Sequence, residues 1–451
     1  MSLKDLRGAP VSTTNRPALD GLEAAIALYQ GYFNDPVAAI DAALAEDPDF
    51  MMGHAFRGGL FAMSSEKGAL PEVANSVAAM KRGAAGANER ERGHLAALDA
   101  WLAGDFHEAS QLYGDVVARH PRDIVALQFA HQSDFLLGQS RMLRDRIAAV
   151  LPDWSENDSG YGYLLGMHAF GLEEMNEYEV AEETGRRAVT INPRDTWAIH
   201  AVAHVLEMHG RLDDGIDWLA TRSKDWSQNN GFAFHNWWHL ALFYLERGEY
   251  DRVLGLYDAS IHPAPTGIAM ELLDAAALLW RLHLRGVETG RRWVDIADSY
   301  APTAEDGFYP FNDMHAAMAF VATGRWDEVQ KLLTKLDARA SDPDSGGQLI
   351  REVGLPVVRA IEAFGRGDYA KTVDLLRRVR LVAHRFGGSH AQRDVLDLTM
   401  IEAALRDGQF DLAAAFANER LARKPDSPLA AWFRRRAREG LAGKGMAVDA
   451  A

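Results

Sequence analysis

The 451-residue sequence predicts an all-α fold, and three observations carry that reading. Apolar residues recur at helical spacing along most of the chain, without the sustained two-residue alternation that strands require. Alanine is plentiful, while Gly, Asn, Asp and Pro gather in short segments between the periodic stretches. A turn mark then returns at regular intervals: Gly, any residue, an aromatic or Leu, and a small residue three positions further on. Clear copies are Gly104-Asp105-Phe106 with Ala109, Gly248-Glu249-Tyr250 with Val253, and Gly408-Gln409-Phe410 with Ala413. Gly210-Arg211-Leu212 with Gly215, Gly324-Arg325-Trp326 and Gly367-Asp368-Tyr369 also fit. In Asn176-Glu177-Tyr178 an Asn stands in the glycine position, which suits a turn needing positive φ. Pro121, Pro193, Pro265 and Pro425 each fall 17 residues after their mark, as Pro48 does after Gly31. With weaker marks at Gly68, Gly138 and Gly286 the series counts eleven between residues 31 and 408, an average step of about 38.

Each part of the mark has a physical role. Glycine permits the turn between two antiparallel helices, the aromatic fills the groove between them, the small residue lets them approach, and proline ends the second helix. Paired helices with this grammar and a period of about 34 residues define the tetratricopeptide repeat. The expectation is a tetratricopeptide-like αα superhelix, a solenoid of about eleven helix pairs. Such a solenoid also answers the length of the chain, since one hydrophobic core rarely grows past about 250–300 residues. Residues 1–30 are read as an N-terminal segment and first helix. Residues 31–440 form one continuous domain, because no Pro/Ser/Gly-rich linker interrupts the register, and 441–451 are a tail.

Composition narrows the function. Lys and Arg number 48 against 64 Asp and Glu, a net charge of −16, so a phosphate-binding basic face is not the main purpose and no nucleic-acid partner is expected. The absence of cysteine excludes disulfides, Cys-ligated zinc and thiol nucleophiles. The N-terminus has no apolar signal core, and the richest apolar stretch, Leu272–Leu284, carries Asp274, Arg281 and His283. No membrane span and a cytoplasmic location are therefore expected. Gly160-Tyr161-Gly162 does not complete a dinucleotide fingerprint, and neither a Gly-x-Ser-x-Gly nor a Walker loop is present.

The repeat register assigns faces. With the turn residue of each unit numbered 15, positions 2, 5, 9, 12 and 13 of the first helix line the concave surface in this repeat class. The unit at Gly210 places His200, His204, Glu207 and Met208 there, and the unit at Gly248 places His235 and Trp238. The unit at Gly104 contributes His94 and Trp101, the unit at Asn176 contributes Tyr163, Phe170 and Glu173, and Trp280 is at position 9 of its unit. His200, His204 and Glu207 lie within about a 60° arc of one helix. An i, i+4 histidine pair can chelate a metal, and a carboxylate one turn on can ligate or act as a base. His235 and His239 repeat the spacing on the next first helix, beside Asn236. One polar cluster of His200, His204, Glu207, His235 and His239 is expected, with Asn236 as neighbour. An aromatic pocket of Tyr163, Phe170, Trp238 and Trp280 is expected near it.

Three uses of that interior remain open: binding of a small molecule or short peptide, hydrolase-type chemistry with or without a metal on His200, His204, His235 and His239, and a network that only fixes the helix packing. No cofactor is obligatory. Lys/Arg/Asn carboxylate clamps, common in peptide-binding arrays of this kind, are outnumbered here by His, Trp, Tyr and Glu, which favours a small-molecule pocket. His209 is read as a turn or surface residue. Elsewhere, His131 and Asp134 share a helix face and predict a structural pair, and Asp313 and His315 cannot point the same way. Ser389-x-x-Gln392 after Gly387-Gly388 predicts a capping box.

Several longer stretches, Trp197–Met208 (WAIHAVAHVLEM), Phe234–Tyr250 (FHNWWHLALFYLERGEY), Arg351–Ala360 (REVGLPVVRA) and Gly387–Val395 (GGSHAQRDV), resemble the tetratricopeptide repeat protein 38 family. Asp49–Leu60 (DFMMGHAFRGGL), Asp123–Asp145 and Lys424–Leu429 (KPDSPL) do so as well, in the same order along nearly the whole chain. The resemblance implies a tetratricopeptide-like superhelix and carries no reaction or ligand with it.

Overall fold

The computed structural model describes residues 3–449, with side chains to residue 443. Among these the regular structure is helical. No strand occurs, and β pairing is confined to isolated bridges at Lys4–Pro10 and Phe33–Asn230.

The turn marks form for a reason visible in the hydrogen bonds. At Gly104, Gly138, Asn176, Gly210, Gly248, Gly286, Gly324, Gly367 and Gly408 the backbone is left-handed, with φ between 61° and 85°. Each of these residues donates its N–H to the carbonyl three positions back, and the next residue donates to the carbonyl six positions before the one after it, as in Gly104 to Trp101 O and Asp105 to Ala100 O. That pair of bonds closes the last carbonyls of the preceding helix in a Schellman cap. The aromatic of the mark then folds back on the capped turn: Phe106 lies 4.6 Å from Trp101 and Tyr369 lies 5.4 Å from Phe364, ring to ring. Two marks depart from the expectation. Gly31 is the last residue of its helix and the left-handed residue is Tyr32, at φ 60°. Gly68 lies inside the 3-10 turn Lys67–Ala69, and Ser65 takes the left-handed turn instead, at φ 58°. One left-handed residue is needed per turn, and the chain supplies it one position after, or three before, the glycine.

The helices group into two compact units. The first runs to Val202 and takes in Arg222–Ala233 and Pro343–Gly346; the second holds Ala203–Thr221, Phe234–Asp342 and the chain from Gly347 onward. The first unit contains the pairs α1 (Arg16–Gly31) with α2 (Pro36–Glu46), α3 (Met51–Ala62) with α4 (Leu70–Gly83), α5 (Glu89–Leu102) with α6 (Phe106–Arg119), α7 (Ile124–Leu136) with α8 (Ser140–Val150) and α9 (Tyr161–Glu174) with α10 (Tyr178–Ile191). Helix α11 (Thr196–Met208) contains the boundary and pairs in sequence with α12 (Leu212–Thr221); α13 (Ser223–Trp226) is a short helix of the first unit. The second unit continues with α14 (Ala233–Glu246) and α15 (Tyr250–Leu256), α16 (Ala269–Leu284) and α17 (Arg292–Tyr300), and α18 (Pro310–Ala322) and α19 (Trp326–Arg339). After the short α20 (Ser345–Leu349) come α21 (Leu355–Gly365) and α22 (Tyr369–Val379), α23 (His390–Arg406) and α24 (Phe410–Arg423), and finally α25 (Pro428–Asp449). The described chain is thus an all-α array of eleven tetratricopeptide-like helix pairs plus α25, which continues through 441–449, where the sequence reading placed a tail.

Helix starts follow their side chains. Asn88 caps α5 reciprocally with Glu91, and Ser389 caps α23 reciprocally with Gln392, as the sequence motif predicts. Within the second unit the last helices return to the earlier ones. The Trp280 indole N–H donates to Thr399 Oγ1 at 2.9 Å, Arg281 donates to the Ala391 carbonyl at 2.6 Å, and Ser427 Oγ donates to Glu246 at 2.9 Å. These contacts bring α14, α16 and the segment after α24 to one place, which is where the polar cluster sits.

Gly367 isolates the backbone requirement, because a Cβ there meets nothing within 4 Å while φ is +78°. Gly367→Ala is expected to lower stability by about 1–2 kcal/mol through strain alone, read as a lower urea midpoint at unchanged slope. Asn176→Gly, which relieves a left-handed non-glycine residue, is expected to leave the midpoint unchanged or raise it.

Candidate functional site

The second half of α11 carries His204 and Glu207, α14 carries His235, Asn236, Trp238 and His239, α16 carries Asp274 and Arg281, and Lys424 follows α24. Helical periodicity stacks His235 above His239, with ring centroids 4.8 Å apart at 86°. The His204 ring lies 4.4 Å from that of His239. Ligand-capable nitrogens of His204, His235 and His239 fall within 4.8 Å of one another, and all three residues are buried.

Buried carboxylates hold two of the rings. His235 donates its Nδ1–H to Asp274 Oδ2 at 2.6 Å, and His239 donates Nδ1–H to Glu207 Oε2 at 3.3 Å. Glu207 is in turn fixed by Lys424, whose Nζ donates to Oε1 at 2.6 Å. Trp238 stacks on His235, 5.4 Å away and inclined by 12°, meets the His239 ring edge-on at 5.0 Å, and has the Arg281 guanidinium at 5.2 Å. The Asn236 amide is fully buried and makes no hydrogen bond.

Burial, reinforced by the neighbouring His204, His235, Lys424 and Arg281, pushes the His239 imidazole well below the usual histidine range. That ring is neutral at pH 7 and carries a lone pair, so it can accept a proton or bind a cation. Burial likewise lowers Arg281, to about 10, against the attraction of Asp394 and Glu207. Beside this centre, Arg420 donates to Asp394 at 3.0 and 2.9 Å and to Glu246 at 2.8 Å. Burial alone would raise the Asp394 carboxyl, but Arg420, Lys424 and Arg281 hold it well below the carboxylate range. Glu207, Glu246, Arg281, Asp394 and Arg420 line a cavity of about 10 Å³, room for about one water.

His200, one turn before His204 on α11, belongs to the first unit and is enclosed there by rings: Phe170 at 5.4 Å, Trp197 at 4.9 Å and Phe232 at 5.2 Å. Phe170 is buried in that cluster, and Tyr163 is half-buried in the same unit. Trp280 is fully buried among His283, Trp293 and Phe364. Asp134 does not pair with His131. It accepts from Arg146 and Ser110, both at 2.7 Å, while His131 lies against the rings of Phe170 and Trp197 and burial lowers it to about 3. Arginine from the next helix outcompetes an imidazole for that carboxylate. Asp274, Arg281, Asp394, Arg420 and Lys424 were absent from the sequence-derived site. The available signal was two charges, Asp274 and Arg281, inside the most apolar stretch of the chain.

No family model matches the chain. Among solved structures it is similar to the APC/C hetero-tetramer Cut9-Hcn1, at 12% identity and TM-score 0.44 over 89% of this chain and 72% of that one. It is also similar to the human IFIT1 dimer with m7Gppp-AAAA, at 12% identity and TM-score 0.41 over 95% and 96% of the two chains. Yeast Tom70 aligns at 11% identity and TM-score 0.33 over 96% and 97%.

Arg420→Met would leave Asp394 and Glu246 facing each other without their shared cation, at a cost of about 3–5 kcal/mol. Because the folded Asp394 pKa is depressed, its contribution is present above the unfolded value of about 4 and is lost as pH falls below it. Urea unfolding is therefore expected to show a large deficit for the variant that holds from pH 7 down to about pH 4 and narrows as pH falls further.

Proposed function

We propose that this chain is a tetratricopeptide-type binding scaffold whose functional centre is the His204–Glu207–His235–His239 cluster, with Asn236 and Trp238 beside it. The observation that carries the reading is the set of buried imidazoles, two of them oriented by buried carboxylates. Burying such groups costs free energy that an apolar interior avoids, so a purely structural array has no need of them. The adjoining cavity is of water size, which supports an ion over a peptide as occupant. The hydrolase-type alternative uses His239 as base, and requires substrate to reach a fully buried ring; binding asks for less.

Membership of the tetratricopeptide repeat protein 38 family is part of the same proposal, since two resembling stretches, Trp197–Met208 and Phe234–Tyr250, supply the imidazoles. So is action of the array as one continuous domain, for which limited proteolysis should yield no two stable halves. No helix among the described residues is long and apolar enough to cross a membrane, and a cytoplasmic location is proposed.

Native mass spectrometry of gently purified protein is expected to show an added mass that denaturation removes and that His239→Gln abolishes. If wild type and variant both weigh only the polypeptide, and the variant differs only in thermal stability, the cluster is structural.

A further inference from the structure

We infer that His204, His235 and His239 form a binding site for a divalent first-row transition metal, with zinc as the ion the donor set fits. This rests on reading the cluster as the binding centre and names what it binds. Four features lead to it. First, three nitrogens from two helices gather within 4.8 Å. A tetrahedral zinc with Zn–N bonds of about 2.0–2.1 Å needs its ligand nitrogens about 3.3 Å apart, a closure that small ring rotations supply.

Second, the carboxylates stand where metal-binding histidines have theirs. Asp274 takes the Nδ1–H of His235, and Glu207 takes that of His239. In each ring this directs Nε2 away from the carboxylate and fixes the tautomer, as the partners of zinc-bound imidazoles do. Lys424 holds Glu207 one bond further out, so the support is itself supported.

Third, Asp274 is a fully buried carboxylate whose Oδ1 makes no hydrogen bond. A buried anion with half its acceptor capacity unused is costly, and a dication across the His235 ring compensates it. Fourth, the ligands are imidazoles alone. Nitrogen donors suit zinc, copper and nickel, whereas magnesium, calcium and manganese prefer oxygen. An array that only needed to fix its helix packing would not require Asp274 and Glu207 to orient both rings.

The test uses the full chain, stripped with a chelator and dialysed against buffered zinc, with bound metal measured by mass spectrometry. One zinc per chain is expected, and cobalt substitution should give the intense visible bands of a tetrahedral site. His235→Ala and His239→Ala should abolish both, His209→Ala in the turn after α11 should change neither, and Asp274→Asn should weaken affinity about 10–100-fold at unchanged stoichiometry. If the alanine variants fail to fold, the wild-type stoichiometry and cobalt spectrum decide. Substoichiometric zinc, an octahedral cobalt spectrum, or affinity indifferent to Asp274→Asn would overturn the inference. An organic added mass that survives metal stripping would end it while leaving the broader binding reading in place.

Discussion

The hydrogen bond from His235 to buried Asp274, repeated by His239 to Glu207, is the constraint on which the interior of the second unit depends. A carboxylate removed from water must find a donor, and a histidine ring removed from water must commit its two nitrogens to different tasks. The two pairs settle both demands together. They also determine what surrounds them: Lys424 is drawn in to Glu207, and Trp238 is clamped between the His235 ring and Arg281.

The repeat grammar places these groups. A Schellman cap at Gly210 ends α11 just after Glu207, with the Glu207 carbonyl accepting the glycine N–H. The equivalent cap at Gly248 ends α14 just after Glu246, the residue that receives Ser427 and Arg420. Each cap thus follows its carboxylate by two or three residues, and the end of α24 with Lys424 after it brings the cations that match. Arg420 and Lys424, four residues apart on one face, serve the two carboxylates separately.

Much of the architecture was legible because it is local. Nine of the eleven marks are left-handed cap residues, and the Ser389–Gln392 capping box forms as its spacing requires. The misplaced marks, Gly31 and Gly68, fail because sequence cannot tell which neighbouring residue makes the left-handed turn once Tyr or Ser can adopt it. At the site, the i, i+4 histidine spacing was readable for the same local reason. Its partners were not. Asp274 lies 39 residues from His235, and Lys424 lies 217 from Glu207. Neither distance leaves a periodic trace. The His131–Asp134 expectation failed similarly, since Arg146 arrives from another helix.

Buried carboxylates hold two histidines with Nδ1 protonated, which leaves Nε2 of each ring directed away from its carboxylate. Long-range nitrogen–proton NMR correlation on histidine-labelled, metal-stripped protein reports the protonated nitrogen of each ring, with His235→Ala and His239→Ala assigning the signals. The account predicts that both rings carry a proton on Nδ1, and that Asp274→Asn perturbs the first and Glu207→Gln the second. A proton on Nε2 alone in both rings, indifferent to those two substitutions, would contradict it.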